Sequence, residues 1–288
     1  MNTPRISGAM LGLALLMLAA APIQAVTLQA AEIASPERTY KGPDGQVQPF
    51  KNDAELMEFL RTARVVSKTT IGVGINQSQK VLLEKDGIEA NAIFRSVDLT
   101  QKDVRVGDLF YRTFRDSYKF EPAAYELGLR LGIINIPPAV LRRIDGRDGS
   151  LQAWVEDLLD EESETFKPPD SLAWVRQVRD MKLFDNLIYN VDRNGGNILV
   201  HSRYILVMID HTRGFQEKTD IMSPDGVAQV NRDTWERLRN LTDQEIRDAV
   251  RAYLTPYEMG RLLQRRKVIV EYVQKLVEER GEESVVFP

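Results

Sequence analysis

The stretch Phe184-Asp-Asn-Leu-Ile-Tyr-Asn-Val-Asp192-Arg-Asn-Gly-Gly-Asn197 joins an apolar helical run to a polar loop, Val191–Gly196. Its Asn-Gly-Gly is turn chemistry. Two short apolar segments follow, Ile198–Val200 and Tyr204–Ile209, and Asp210 ends the second. Two such runs around a tight turn read as a hairpin, and a hairpin returns Asp210 to the neighbourhood of Asn197. Two carboxylates and an amide then share one small space. An amide oxygen (Asn197) and a carboxylate (Asp210) are hard ligands suited to Mg²⁺. The other carboxylate, Asp192, is left as a proton acceptor.

Asp192 and Asn197 frame an Asp-x-x-x-x-Asn loop, the spacing of base and metal ligand in a phosphoryl-transfer catalytic loop, so the other half of such a site should lie upstream. Thr69–Ile75 reads as a strand, Lys80–Glu84 as a second and Ile88–Val97 as a third, with Asp86-Gly87 as a tight turn between the last two. Gly72 and Gly74 sit between the first two strands, where a phosphate-covering loop belongs. In the third strand Ile88, Ala90, Ala92 and Phe94 share one face, and Glu89, Asn91, Ile93 and Arg95 the other. Arg95 is thus a cation placed for phosphate. A helix is expected over Glu121–Leu131, with Pro122 in its first turn, and Glu121 is the acid that could pair with Arg95. Strands Ala139–Ile144 and Leu151–Leu158 flank a turn at Asp145–Gly149. Trp154-Val-Glu156 is placed as a hinge whose backbone groups meet a nucleobase. The N-terminal half therefore reads β-β-β-α-β-β, after a short helix capped by Asn52 or Asp53.

The second half reads mainly helical. Asp170 is expected to cap a helix running to about Asn190. Two more helices follow the hairpin and its trailing loop. One starts at the capping box Thr242-Asp-Gln-Glu, and the last starts at Thr255-Pro-Tyr-Glu and runs to about Glu279. The run Arg261, Arg265, Arg266, Lys267 is expected on a solvated face, and the acidic tail after Gly281 is expected to fray. His201 falls in the hairpin turn, and His211, next to Asp210, is assigned a structural role.

These motifs together resemble the atypical kinases of three related groups: the secretory-pathway Golgi casein kinases, the HipA-like kinases and the phosphatidylinositol 3-/4-kinases. Their catalytic loops read roughly Asn-x-Asp-Arg-x-x-x-Asn, with a metal-binding Asp on the next hairpin. Phe120-Glu-Pro-Ala-Ala-Tyr-Glu-Leu-Gly, followed by Ile136-Pro-Pro, resembles the Golgi kinase pattern Glu-x-Ala-Ala-Phe-x-Leu-Asp then Val-Pro-Pro. The likeness covers about residues 70 to 215. It implies an α+β, two-lobed protein-kinase-like fold, with an antiparallel sheet and helix in the N-lobe and a mainly helical C-lobe. It also implies ATP with Mg or Mn, Asp192 as catalytic base, Asn197 and Asp210 as metal ligands, and Gly72, Gly74, Arg95, Glu121, Trp154 and Glu156 around the nucleotide. Four features depart from the pattern. Arg95 replaces the usual lysine, Asp210-His-Thr stands for Asp-Phe-Gly, the glycine loop lacks a full G-x-G-x-x-G, and Asn194 takes the place of a lysine or histidine.

Composition closes off other chemistries. The chain has no cysteine and only two histidines, His201 and His211. Disulfides, thiol nucleophiles, Cys-ligated metals and multi-histidine sites are thereby excluded. With 38 Lys+Arg against 42 Asp+Glu, no basic footprint invites nucleic acid. Arg5, the charge-free run Ala9–Ala21 and small Ala25 read as a secretory signal peptide over 1–25; the apolar run falls short of the ~20 residues of a membrane span. Its removal moves the net charge from −4 to −5 and leaves an exported, periplasmic or secreted protein. Without cysteine it is no lipid-anchored lipoprotein. The expected organisation is signal peptide 1–25, linker 26–50, N-lobe 51–150 and C-lobe 151–288. The expected function is phosphotransfer from ATP to a protein or small-molecule hydroxyl. The rivals are a catalytically inactive pseudokinase scaffold and a nucleotidyl transferase.

Overall fold

The computed structural model describes residues 40–71, 78–159 and 167–288. The expected signal peptide, Gly72 and Gly74 lie outside the described residues. Residues 40–50 of the expected linker include a short turn, closed by Gln48 N–H donating to the Tyr40 carbonyl, and Phe50 packs on Phe59 with ring centroids 5.1 Å apart.

Helix α1 (Asp53–Thr62) starts at Asn52, whose side chain accepts from Glu55 N–H, and buries Leu56, Met57, Phe59 and Leu60. Strands β1 (Arg64–Ile71), β2 (Ser78–Lys85) and β3 (Ile88–Arg95) follow. The expected alternation holds: Ala90, Ala92 and Phe94 are buried with Val81 and Leu83 of β2. Asp86 and Gly87 both have positive φ, 53° and 78°, the backbone of a two-residue hairpin turn.

Between β3 and the next helix stands an element absent from the sequence reading. Strands β4 (Asp98–Val106) and β5 (Leu109–Ser117) pair antiparallel as a separate hairpin. Most of β4 is exposed, so the chain carries no one-sided apolar alternation there to betray a strand. Tyr111 and Phe114 of β5 form a second small core with Tyr189 of the C-lobe.

Helix α2 (Phe120–Arg130), β6 (Ala139–Ile144) and β7 (Arg147–Ala153) complete the N-lobe, and the main sheet runs in the order β1-β2-β3-β7-β6. The turn between β6 and β7 is two residues, Asp145 and Gly146, both at positive φ. Strand β7 therefore begins four residues before the expected Leu151. It reaches the β3 strand only because Gly149 has no side chain: a Cβ there would collide with the Arg95 carbonyl and the Phe94 ring. Strand β7 carries the sheet to Ala153, past the expected lobe boundary at 150/151.

In the C-lobe, α3 (Leu172–Ile188) is capped by Ser171, not Asp170, and ends at left-handed Tyr189, φ 53°. Strands β8 (Ile198–His201) and β9 (Ile205–Met208) form the expected hairpin. Then come β10 (Val230–Asn231), α4 (Arg232–Asn240), α5 (Asp243–Val250), α6 (Pro256–Arg280), α7 (Glu282–Val285) and β11 (Val286–Phe287). Both expected capping boxes form, at Thr242 and Thr255.

Three expectations need correction here. Helix α4 was not anticipated, although Asn231 caps it. The acidic tail is ordered: β11 pairs with β10, and Val285 and Val286 are buried. The basic run on α6 divides: Lys267 and Arg261 meet solvent as expected, but Arg265 and Arg266 do not. Arg265 is fully buried, and its guanidinium donates to the carbonyls of Leu187, Gln216 and Lys218; Arg266 donates to those of Leu238, Arg239 and Leu241 at the end of α4. A guanidinium matches clustered carbonyls, which lone helix positions do not reveal.

One apolar core runs through both lobes, from Leu56 and Phe94 through Phe120 and Leu127 to Phe184, Met208 and Leu262. Among the described residues no helix is long and apolar enough to cross a membrane.

Candidate active site

The loop after α3 is held from inside. Arg193 pairs bidentately with Asp185 of α3, at 2.9 and 3.0 Å, and its Nη1 donates to the carbonyls of Asn197 (2.7 Å) and Ile209 (2.8 Å). One guanidinium thereby binds the helix, the start of β8 and the end of β9. Asn190 adds a 3.1 Å bond to Asp185. Ile209 N–H donates to the Asn197 carbonyl at 3.2 Å, continuing the hairpin ladder one step beyond β8 and β9. Asp210 is the next residue, at φ 54°, a backbone region rare for non-glycine residues and frequent at functional sites.

Asp192 is brought to the same place. The Asn197 amide donates to the Asp192 carbonyl at 2.7 Å, which leaves Asn197 Oδ1 as an acceptor. The Asp192 side chain is about one third exposed and lies 3.4 Å from Arg213 Nη1. Arg213 also donates through Nε to Asp116 of β5 at 2.9 Å.

Across from these, Arg95 on β3 is only 4% exposed. Its Nε stands 3.6 Å from Glu121 Oε1 and 3.8 Å from Asp210 Oδ1, and its Nη1 donates to Gln152 at 3.3 Å. Glu121 is wholly buried on α2. It accepts from His211 N–H (3.0 Å), faces His211 Nδ1 (3.2 Å) and accepts from Gln152 (3.3 Å). Burial pushes the Glu121 carboxyl up, but the Arg95 charge and the His211 interactions outweigh it and hold it at about 2. Glu121 is thus an anion inside the protein, tying α2 to β3 and to the residue after Asp210. Thr212 Oγ1 in turn donates to Asp210 Oδ1 at 3.1 Å.

The structure therefore assembles Arg95, Glu121, Asp192, Asn197 and Asp210, five of the residues singled out from sequence. Trp154 and Glu156 stand apart from them. The Trp154 ring lies 4.2 Å beneath Lys80 Nζ, and Glu156 accepts from Asn91 of β3 at 2.9 Å. Both line a cavity of about 170 Å³ with Pro137, Pro138, His201 and Val207, and none of the five charged or amide residues lines it. That cavity is the more apolar hollow, but the polar chemistry lies elsewhere. Sequence reasoning missed Arg193, Asp185, Gln152, Asp116 and Arg213. Arg193 and Asp185 lie within the motif itself and were legible there. Gln152 and Asp116 have no local signal.

The donor set suits a cation beside an anionic substrate. Asp116, Glu121, Asp192 and Asp210 outnumber the guanidinium groups of Arg95 and Arg213 in this space. Asp210 and Asn197 Oδ1 are the hard oxygens that could hold the cation. Among the described residues no group of three or more His, Asp or Glu side chains makes a metal site alone. A Mg²⁺ would draw its other ligands from phosphate and water, its usual habit. Arg95 Nε, buried and without a hydrogen-bond partner, is a donor suited to a phosphate oxygen.

No protein-family model matches the chain, and no curated protein matches it. Solved structures do. A hydra Fam20, solved with sugar, aligns with TM-score 0.65 at 14% identity over 88% of this chain and 97% of its own. The Golgi casein kinase with Mn/ADP bound aligns with TM-score 0.56 at 14% identity over 81% of this chain and 78% of its own. The Helicobacter pylori proinflammatory kinase CtkA aligns with TM-score 0.53 at 13% identity over 77% and 98%. The fold is that of an atypical kinase. It is α+β and two-lobed, as the Golgi casein kinase likeness of the sequence implied, and identities this low speak for the fold alone.

Proposed function

We propose that this chain is an exported ATP-dependent phosphotransferase, with a signal peptide over 1–25, a linker over 26–50, and an N-lobe and a C-lobe that meet at the end of β7. The observation that carries the reading is the hairpin that sets Asp210 beside Asn197, with Arg95 3.8 Å from Asp210 and 3.6 Å from Glu121. Neighbours of the same fold were solved with Mn/ADP and with a sugar, which supports a nucleotide, Mg or Mn, and a protein or small-molecule hydroxyl as acceptor.

Asp192 accepts the proton of the acceptor hydroxyl, whose oxygen attacks the γ-phosphorus. The bond from phosphorus to the bridging oxygen breaks, and its electron pair leaves on ADP. Arg95, fixed by Glu121 and Gln152, presents its free Nε–H to phosphate. Asn197 Oδ1 and the Asp210 carboxylate would hold a divalent cation, which would supply positive charge to offset that of the phosphates. Trp154 and Glu156 set the course of the hinge.

A second reading, nucleotide binding without turnover, draws on the burial of Arg95, whose Nη1 is already committed to Gln152. Labelled ATP separates the two. The purified protein with Mg or Mn is expected to transfer the γ-phosphate, and Asp192→Ala and Asp210→Ala to remove transfer while staying folded. Full activity in either variant would sink the assignment. Binding of Mg·ATP without any transfer would favour the scaffold, and gain of an AMP unit would favour nucleotidyl transfer.

A further inference from the structure

Arg213 has no role in the reading so far, yet it stands among the three aspartates of the site. Its Nε is fixed by Asp116, which is 4% exposed, at 2.9 Å. Its Nη1 reaches Asp192 only at 3.4 Å, longer than the ~2.7–2.9 Å of a tight charge-assisted bond. Asp116, Asp192 and Asp210 all favour its charge. The head is 38% exposed, so the contact with Asp192 contributes at most about 1 kcal/mol to the fold. Such a guanidinium is held at one edge and loose at the other. Its loose edge offers paired N–H donors of the spacing that fits two oxygens of a phosphoryl group.

We propose that Arg213 grips the phosphoryl group in transfer and, in doing so, releases Asp192. Without nucleotide, Arg213 leans on the Asp192 carboxylate. When the γ-phosphoryl lies between Asp192 and Asp210, its oxygens take over the Nη donors, and Asp192 is freed to receive the hydroxyl proton. The charge of Arg213 then acts where negative charge spreads in the transition state. Four acids crowd this site, so a triphosphate entering it needs this cation besides Arg95. The inference rests on the phosphotransferase reading.

The test compares affinity for Mg·ADP with affinity for Mg·ADP plus aluminium fluoride, which mimics the planar phosphoryl group. Wild type is expected to bind the fluoride complex about 100-fold more tightly. Arg213→Ala is expected to keep its affinity for Mg·ADP within about two-fold but to lose the fluoride increment, and Arg213→Ala combined with Asp116→Asn, which leaves no stranded carboxylate, to stay folded and lose the increment as well. Its kcat should fall about 100-fold with little change in KM for ATP. Arg213→Lys should recover only part of the increment, because an ammonium lacks the paired donors. Asp116→Asn, which loosens the anchor, should reduce the increment without removing it. An Arg213→Ala protein with the wild-type increment and kcat would overturn this role and leave the phosphotransferase reading intact. A wild-type protein that binds neither Mg·ADP nor Mn·ADP would overturn both.

Discussion

Replacing Glu121 by glutamine removes one charge from the buried cluster and keeps its size. The amide oxygen can still accept from His211 N–H, while the amide nitrogen takes the place that faces the His211 ring and Gln152, so the change removes the charge held by Arg95 and His211. The Glu121 carboxyl is held at about 2 against an ordinary 4.5. At about 1.36 kcal/mol per pH unit, that is on the order of 3 kcal/mol of stability at neutral pH. The figure agrees with the ~3–5 kcal/mol for removing one partner of a buried pair. Glu121→Gln is therefore expected to lose about 3 kcal/mol in urea at pH 7, with a thermal midpoint about 6–12 °C lower. The sign with pH follows from a depressed folded pKa. Stability from Glu121 is fully present above about 4.5 and is lost as pH falls toward about 2. By pH 3.5 wild type should have lost on the order of 1 kcal/mol of this contribution, and the variant, with nothing to titrate there, none of it. Urea midpoints of both proteins at pH 7, 5 and 3.5 measure the gap. A gap under about 1 kcal/mol at pH 7, or one that stays constant down to pH 3.5, would refute the ionised, Arg95-paired Glu121.

Other variants probe the parts that hold the site. Arg193→Ala should cost about 3–5 kcal/mol by stranding Asp185, and Arg193→Lys should not restore it, since the pair is bidentate; calorimetry of both decides. Arg265→Met leaves the carbonyls of Leu187, Gln216 and Lys218 without their donor, a loss of about 3 kcal/mol or more. An unchanged urea midpoint would return that residue to the surface. Thr255→Ala dissolves the α6 capping box and should lower stability by about 1 kcal/mol, with nucleotide binding unaltered; a larger effect on binding than on unfolding would contradict it.

The features read correctly were local ones. The Asp86-Gly87 turn, the alternation of β3, the two capping boxes and the β8–β9 hairpin are each encoded within a few residues. The hairpin alone delivers Asp210 to Asn197. The β4–β5 hairpin escaped because most of β4 meets solvent on both faces and carries no period. Arg265 was misplaced because helix spacing shows which residues share a face, not what packs on that face.

The sequence by itself determined the donor types, their order and the kinase-like arrangement of strands and helices, because backbone periodicity and turn chemistry act over short range. Only the tertiary structure decided that Glu121 meets His211 across 90 positions, that Gln152 completes the Arg95 cluster, and that Asp116 brings Arg213 to Asp192. Such pairings depend on which surfaces the shared core presses together. The charges of those residues gain their strength only where burial removes water.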